Sequence, residues 1–219
     1  MKTINYLQIL SIKAVLILFM VSFLGCEEAG LSEDNISMEE TENEALELLP
    51  MEELSQGEID GLMYMREEEK LARDVYLRLY ETFAVENFTI ISKSEQAHMD
   101  AIKFLLDRYG LEDPAYEVSI GIFRNDDLQN LHDKLMEMGS EGKIEALRVG
   151  ALIEETDIID IQNELDHVVD NRDITFVYNN LIRGSYSHLK SFVGVLGVIG
   201  VNYEPVLLDD ELYKRIISE

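Results

Sequence analysis

Four stretches of this chain carry an apolar stripe at alternating three- and four-residue spacing, and each stripe is broken near its middle by polar residues. The first runs Leu62, Met65, Glu69, Ala72, Tyr76, Leu79; the second Phe88, Ile91, Glu95, His98, Ile102, Leu105, Tyr109. The third runs Leu147, Ala151, Glu154, Ile158, Ile161, Leu165, and the fourth Tyr178, Leu181, Ser185, His188, Phe192, Val195. That period is the signature of a helix with one buried face, and no alternating strand pattern competes with it from Gly57 onward. A carboxylate on such a face costs on the order of several kcal/mol unless it is neutralised, paired or bound to a metal. Three acids and two histidines in that position make sense if they converge.

Convergence is geometrically natural. Antiparallel helices advance ~1.5 Å per residue, so groups near the middle of each meet at one level. In "EQAH", Glu95 and His98 stand three apart and share a helix face, which lets a carboxylate oxygen and an imidazole nitrogen reach one ion. On the first helix the angular position favours Glu68 as the inward acid, while the spacing to Tyr76 favours Glu69. The connections fit a bundle. "TFAVEN" is a short link that makes the first two helices antiparallel neighbours. Gly110 and Pro114 end the second helix and open a long crossover. This crossover contains a short extra helix, "NDDLQNLHDKLMEMG", capped at Asn125 or Asp126. "VDNRDI" joins the third and fourth helices, and "LDDELYKRIISE" reads as a closing helix. His132 and His167 fall off the stripes and are expected at the surface. Met63, Met65, Met99, Met136 and Met138 read as packing. The glycines of "GVLGVIG" read as points of close helix approach.

These residues resemble the ferritin-like superfamily, whose four-helix bundles use a Glu from each of two helices and a Glu-x-x-His from each of the others to hold two metal ions. "EKLARDVY" spaces Glu69 and Tyr76 as on the first helix of ferritins and rubrerythrins, and "GALIEETDIID" resembles their third helix with Glu154. More closely, "EEEKLARDVY", "SEQAHMDAI", "RYGLEDP" and "GSYSHLKSF" resemble the prokaryotic domain-of-unknown-function family numbered 2202, over roughly residues 58–203. The resemblance implies an all-α, ferritin-like antiparallel four-helix bundle with the long crossover between its second and third helices. It implies Glu69, Glu95, His98, Glu154 and His188 as metal ligands. Glu68, Asp157, Tyr76 and Ser185 are candidates for an additional ligand or for a place beside the ion. The departure is in "SYSH", where Ser185 takes the place of a fourth carboxylate. One metal, a contribution from Asp157, or a bound hydroxide would each balance the charge.

The N-terminal quarter has a different character. Lys2 and Lys13 precede the apolar run "AVLILFMVSFL", which is too short to span a bilayer but suits a signal-peptide core. "FLGC" follows and resembles a lipoprotein cleavage box, with Cys26 lipidated; an ordinary cleaved signal with an incidental cysteine is the other reading. Residues 27–58 hold 12 acids and no Lys or Arg, the composition of a solvated tether rather than of a folded layer. "EALELLP" would be a helical turn within it, and a calcium-binding segment is disfavoured because EF-hand spacing is absent. The expected organisation is a signal peptide over 1–25, an acidic tether over 26–56 and a bundle over 57–219.

Charge and motif content remove several function classes. The formal net charge of −26 argues against nucleic acid. One cysteine excludes an internal disulfide framework. No Gly-x-Ser-x-Gly elbow is present, and no strand precedes the glycine-spaced "GVLGVIG", so neither a nucleophilic hydrolase nor a dinucleotide site is indicated. The expectation is therefore a ferritin-like protein on a bacterial envelope membrane, with iron preferred and manganese or zinc served by the same ligand types. It would be an oxidoreductase reacting with oxygen or peroxide, or oxidising iron. Its partner is the membrane through Cys26; a homodimer is compatible with this reading, and no protein partner is named. The alternative is a metal-free four-helix lipoprotein serving as an interaction or structural module, its polar centre fixing helix register.

Overall fold

A computed structural model describes residues 45–218, and every regular element among them is helical. The signal peptide, Cys26 and the tether up to residue 44 lie outside the described residues. The helices are α1 (Gln56–Phe83), α2 (Glu86–Tyr109), α3 (Asp126–Gly139), α4 (Lys143–His167), α5 (Arg172–Val198) and α6 (Asp210–Ser218). None of them is long and apolar enough to cross a membrane.

α1 begins at a capping box in which the Ser55 side chain accepts from the Glu58 N–H and the Glu58 carboxylate accepts from the Ser55 N–H. Only Ala84 and Val85 separate α1 from α2, and Ala84 takes a left-handed conformation (φ 50°) to make the turn. The two helices therefore run antiparallel and pack along their length. α2 ends where expected, at Gly110 with φ 67°, and the Leu111 N–H closes back on the Leu106 carbonyl at 2.8 Å. α4 and α5 form a second hairpin, and α3 packs on α1 and α4. All share one core, at whose centre Tyr76, Phe88 and Phe192 pack with ring centroids 5.3–6.0 Å apart.

The crossover after α2 is held against α1 by charged groups that the stripe analysis did not place. Lys70 donates to Asp74 and to the Ser119 and Ile122 carbonyls, and its ammonium sits over the Phe123 ring. Arg66 makes a two-pronged pair with Asp113, while Glu67 accepts from the Arg124 and Asn125 N–H groups. Residues 66–70 are consecutively buried although every one carries a charge. α1 therefore has two inward faces, one toward the core and one toward the crossover.

Four expectations need correction. The fold reaches back beyond residue 57: Leu46 is 2 % exposed in the core, and Arg108 donates to the Leu46 and Leu49 carbonyls. Residues 45–47 do form a helical turn, but it docks on the domain rather than belonging to a free tether. His132 is buried rather than at the surface, packed on Phe123 with its Nδ1 against Asp133. Met138 is half exposed, unlike Met65 and Met99, because it faces out near the end of α3. Gly194 and Gly197 approach no neighbouring helix, since a Cβ at either would meet nothing within 4 Å.

The C-terminal segment depends on one side chain. The Glu155 carboxylate accepts from the Tyr203 hydroxyl at 2.6 Å and from the Val206, Leu207 and Leu208 N–H groups at 2.6–3.0 Å. Replacing Glu155 by Ala leaves the buried Tyr203 hydroxyl and Leu208 N–H without a partner and frees the Val206 and Leu207 N–H groups. The variant should lose about 3 kcal/mol of stability, read by urea unfolding, with early proteolysis between residue 199 and α6; unchanged unfolding would remove Glu155 as the anchor.

Candidate metal centre

The five residues expected from the stripes arrive at one place. α1 supplies Glu69, α2 supplies Glu95 and His98, α4 supplies Glu154 and α5 supplies His188. The three carboxylates are fully buried, whereas the two histidine side chains keep 12 % and 10 % of their surface exposed. The groups form two triads with a common member: Glu69–Glu95–His98 and Glu95–Glu154–His188, the ligand atoms of each lying within 4.8 Å of one another.

Glu95 stands at the middle. Its Oε2 lies 2.8 Å from His98 Nδ1 and its Oε1 2.8 Å from His188 Nδ1. His98 Nδ1 also lies 3.1 Å from Glu69 Oε2, and His188 Nδ1 lies 3.4 Å from Glu154 Oε2. The two rings stack at 5.5 Å between centroids. Short as these distances are, Glu95 Oε1 and Oε2 and His188 Nδ1 are not directed at a hydrogen-bond partner. Among the four pairs only His98 Nδ1 with Glu69 Oε2 is aligned as a hydrogen bond.

That distinction separates two kinds of buried acid in this protein. Glu58, Glu67, Asp74, Glu155 and Asp173 each accept several hydrogen bonds from backbone N–H groups, hydroxyls or cationic side chains. Glu68, Glu69, Glu95, Glu154 and Asp157 instead keep carboxyl oxygens without a partner among the described residues. Buried polar atoms are nearly always paired, so a cluster of unpaired acceptors in one core marks a place built for a positive charge.

The electrostatics agree. Burial pushes Glu69 up to about 7, with His98 pulling against it. Burial and the Glu95 charge push Glu154 up to about 7 in the same way. Burial also acts to raise Glu95, but the two imidazoles outweigh it and hold that carboxylate below its ordinary range. Burial opposes charge on the histidines, yet Glu69 and Glu95 carry His98 well above its ordinary value, and Glu154 and Glu95 carry His188 up to about 10. Left to itself, the cluster draws protons onto its imidazoles to offset the acids around them.

Neighbouring residues orient the cluster. The Tyr76 hydroxyl donates to Glu154 Oε1 at 2.5 Å. His188 turns its Nε2 to Ser94 Oγ at 2.9 Å, which leaves Nδ1 facing the acids. Of the two register alternatives on α1, Glu69 meets His98 and Glu68 does not. Asp157 is buried with both oxygens unpartnered and has Glu69, Glu68, Glu154 and Glu95 as its leading charged neighbours. Ser185 does not join the cluster; its hydroxyl donates to the Leu181 carbonyl one turn back on α5.

Ser94 and Gly184 were not singled out in the sequence. Ser94 carried no signal beyond its place beside Glu95. Gly184 did carry one, because a glycine inside a long helix costs about 1 kcal/mol and usually answers a packing need. A Cβ there would lie 2.5 Å from His98 Nε2. Gly184→Ala should therefore displace the His98 ring, lower stability by about 1–3 kcal/mol and shift the ring's NMR resonances. Gly194→Ala on the same helix, where the space is open, should instead gain about 0.5–1 kcal/mol. Equal effects from the two would show that Gly184 makes no room for His98.

The comparisons with known proteins describe kinship without assigning chemistry. A family model described as "Uncharacterized protein domain (DUF2202)" matches residues 58–219. The chain is 46 % identical over 175 residues to "Uncharacterized protein MJ0754" of Methanocaldococcus jannaschii, covering 80 % of this chain and 94 % of that one. The crystal structure of hypothetical protein MJ0754 from Methanococcus jannaschii superimposes with a TM-score of 0.76 at 47 % identity, over 78 % of this chain and 97 % of that chain.

Proposed function

The chain belongs to the DUF2202 family, and from the site at its centre we propose that it is a ferritin-like four-helix protein whose buried carboxylates and imidazoles hold metal. The observation that carries this reading is Glu95, whose two oxygens each face a different imidazole at 2.8 Å without hydrogen-bond direction. A carboxylate shared by two triads suits a bridge between two metal positions. Glu69 with His98 would complete one position and Glu154 with His188 the other.

Iron is the preferred occupant; manganese and zinc accept the same oxygen and nitrogen donors. Bound iron would supply redox chemistry with oxygen or peroxide that no side chain here offers. The protein's own part is orientation and exclusion. Ser94 Oγ can accept from His188 Nε2–H, the tautomer in which Nδ1 would be free to ligate. Tyr76 holds one oxygen of Glu154 and turns the other toward the cluster. The buried acids lie behind the partly exposed imidazoles, so small reactants would enter from the histidine side. The sequence adds a tether: on the lipobox reading, Cys26 would anchor this domain to a bacterial envelope membrane.

The direct test is elemental analysis of the full chain purified in detergent beside Glu95→Ala and His98→Ala. Glu95→Ala should remove bound metal at both positions, and His98→Ala should remove the ion of its own triad. Metal far below one equivalent, unchanged by either substitution, would instead favour a proton-filled ion network that fixes helix register.

Metal and protons compete for this site, which gives a second test. Glu69 and Glu154 sit at about 7 without metal, and both histidines lie above their ordinary value. Ligation requires all four deprotonated, so affinity should rise with pH, by about tenfold per pH unit for each proton displaced. Calorimetric titration with Mn²⁺ at pH 6 and pH 8 should show proton release and tighter binding at the higher pH. Equal affinity at both would be incompatible with ligation by these residues.

A further inference from the structure

The first three turns of α5 turn a face without acids to solvent. Arg172, Thr175, Phe176, Asn179, Asn180 and Arg183 recur at three- and four-residue spacing and so share one side of the helix. With Leu49 they line a solvent-open cleft of about 490 Å³. Acids outnumber Lys and Arg 44 to 18 in this chain, yet no Asp or Glu belongs to that lining. Asp173, the acid next to Arg172, is buried and turned to Tyr109 and Arg108. Arg172 and Arg183 are both exposed, and Arg183 donates to Asn180 rather than to an acid. Their backbones stand ~16 Å apart along the helix, so the cleft presents two positive charges to two separate anions.

The rim of this cleft is apolar and held in place. Arg108 donates to the Leu46 and Leu49 carbonyls at 2.5 and 2.6 Å, and Leu46 is buried in the core. That clamp fixes the backbone while Leu48 and Met51, on either side of Leu49, stay 87 % and 59 % exposed. A single exposed apolar side chain is ordinary. Two on a clamped segment beside unneutralised arginines match a membrane-surface contact, where apolar groups enter the acyl boundary and cations meet lipid phosphate. Residues 27–44 span at most ~60 Å, which keeps the domain within reach of a lipid on Cys26. Glu47, Glu52 and Glu53 are exposed on the same segment and oppose an anionic surface. The attraction therefore lies in the cleft and the two apolar side chains, not in net charge.

We propose that the α5 cleft, with Leu48 and Met51, is a docking surface for the phosphate headgroups of membrane lipids. The inference rests on the tether of the lipobox reading and is independent of metal. It lays the first half of α5 against the membrane. Val198, at the far end of the same helix ~39 Å away and 88 % exposed, stays in water.

The chain has no tryptophan, so Leu48→Trp supplies a single fluorescent reporter. The full chain carrying it is reconstituted into vesicles of phosphatidylcholine and phosphatidylglycerol with brominated acyl chains, and into vesicles of brominated, uncharged galactolipid. Flotation reads the anchor and bromine quenching reads the docking. In phospholipid the Leu48→Trp emission should shift to the blue and be quenched, whereas Val198→Trp stays unquenched; galactolipid should quench Leu48→Trp far less. Adding Arg172→Gln and Arg183→Gln should lower the ratio of docked to lifted domains by about fivefold per arginine without moving the melting temperature. An unquenched Leu48→Trp in chains that float with phospholipid would overturn the docking surface, as would equal quenching with and without the two arginines. A blue-shifted emission that bromine quenches in neither lipid would place protein over this face, the acidic N-terminal stretch or a second copy, and would overturn it too. Chains that do not float would overturn the tether and the docking surface together.

Discussion

The architecture depends on how a low-dielectric core accommodates the charge of Glu95. A lone carboxylate buried completely would cost on the order of several kcal/mol, and this one is flanked by two imidazoles that hold it ionised. The arrangement forces positions on four helices at once: His98 must lie one turn along α2, His188 must arrive from α5, and Glu69 and Glu154 must close the outer sides from α1 and α4. A slip of any helix by one residue would turn a charged group into the apolar layers above or below. The polar layer therefore sets helix register as well as chemistry. Its design conflicts with maximal stability, since a purely apolar layer of equal volume would pack as well and carry no desolvation cost.

The excess of acid in the folded domain is used in two ways. Glu58 ties the α4–α5 link to the start of α1. Glu67 ties the crossover, and Glu155 ties the segment before α6. Each does so by accepting backbone N–H groups that a loop buried against a helix would otherwise leave orphaned. Both oxygens of each of these acids already face a protein donor. The central acids are the reverse, and their neighbours make the contrast sharper: Glu67 and Glu69 are two residues apart on α1, yet one faces loop amides and the other faces imidazoles.

Sequence periodicity was enough to find the stripes, the long helices and the five residues that cluster, because a single 3.6-residue period reports one buried face. It missed whatever depends on a second face. Arg66, Glu67 and Lys70 lie off the first stripe, yet the crossover covers that side of α1 and buries all three. The same omission hid His132, which the stripe period places outside and which the crossover's Phe123 encloses. Leu46 was assigned to the tether because its surroundings are acidic; one leucine docking beside Arg108 is a tertiary event with no local periodic signal. Glu68 and Glu69 illustrate the limit well. Neighbours on a helix differ by about 100° in direction, so angle alone favoured one and spacing the other, while the packed core buries both and brings only Glu69 to His98.

Access to the cluster is asymmetric, and this bears on what chemistry the proposed site would favour. The carboxylates have no exposed surface, while the imidazoles retain about a tenth of theirs. Gly184 narrows α5 at that point, and only the lack of a side chain there lets the His98 ring lie against the helix. The face toward α2 and α5 is thus a thin lid of two flat rings and a glycine, suited to small neutral molecules and poor for cations, which would meet imidazole edges first. On the proposed reading, small neutral reactants would reach the centre past the imidazoles, while Glu69 of α1 and Glu154 of α4 stay behind them with no exposed surface.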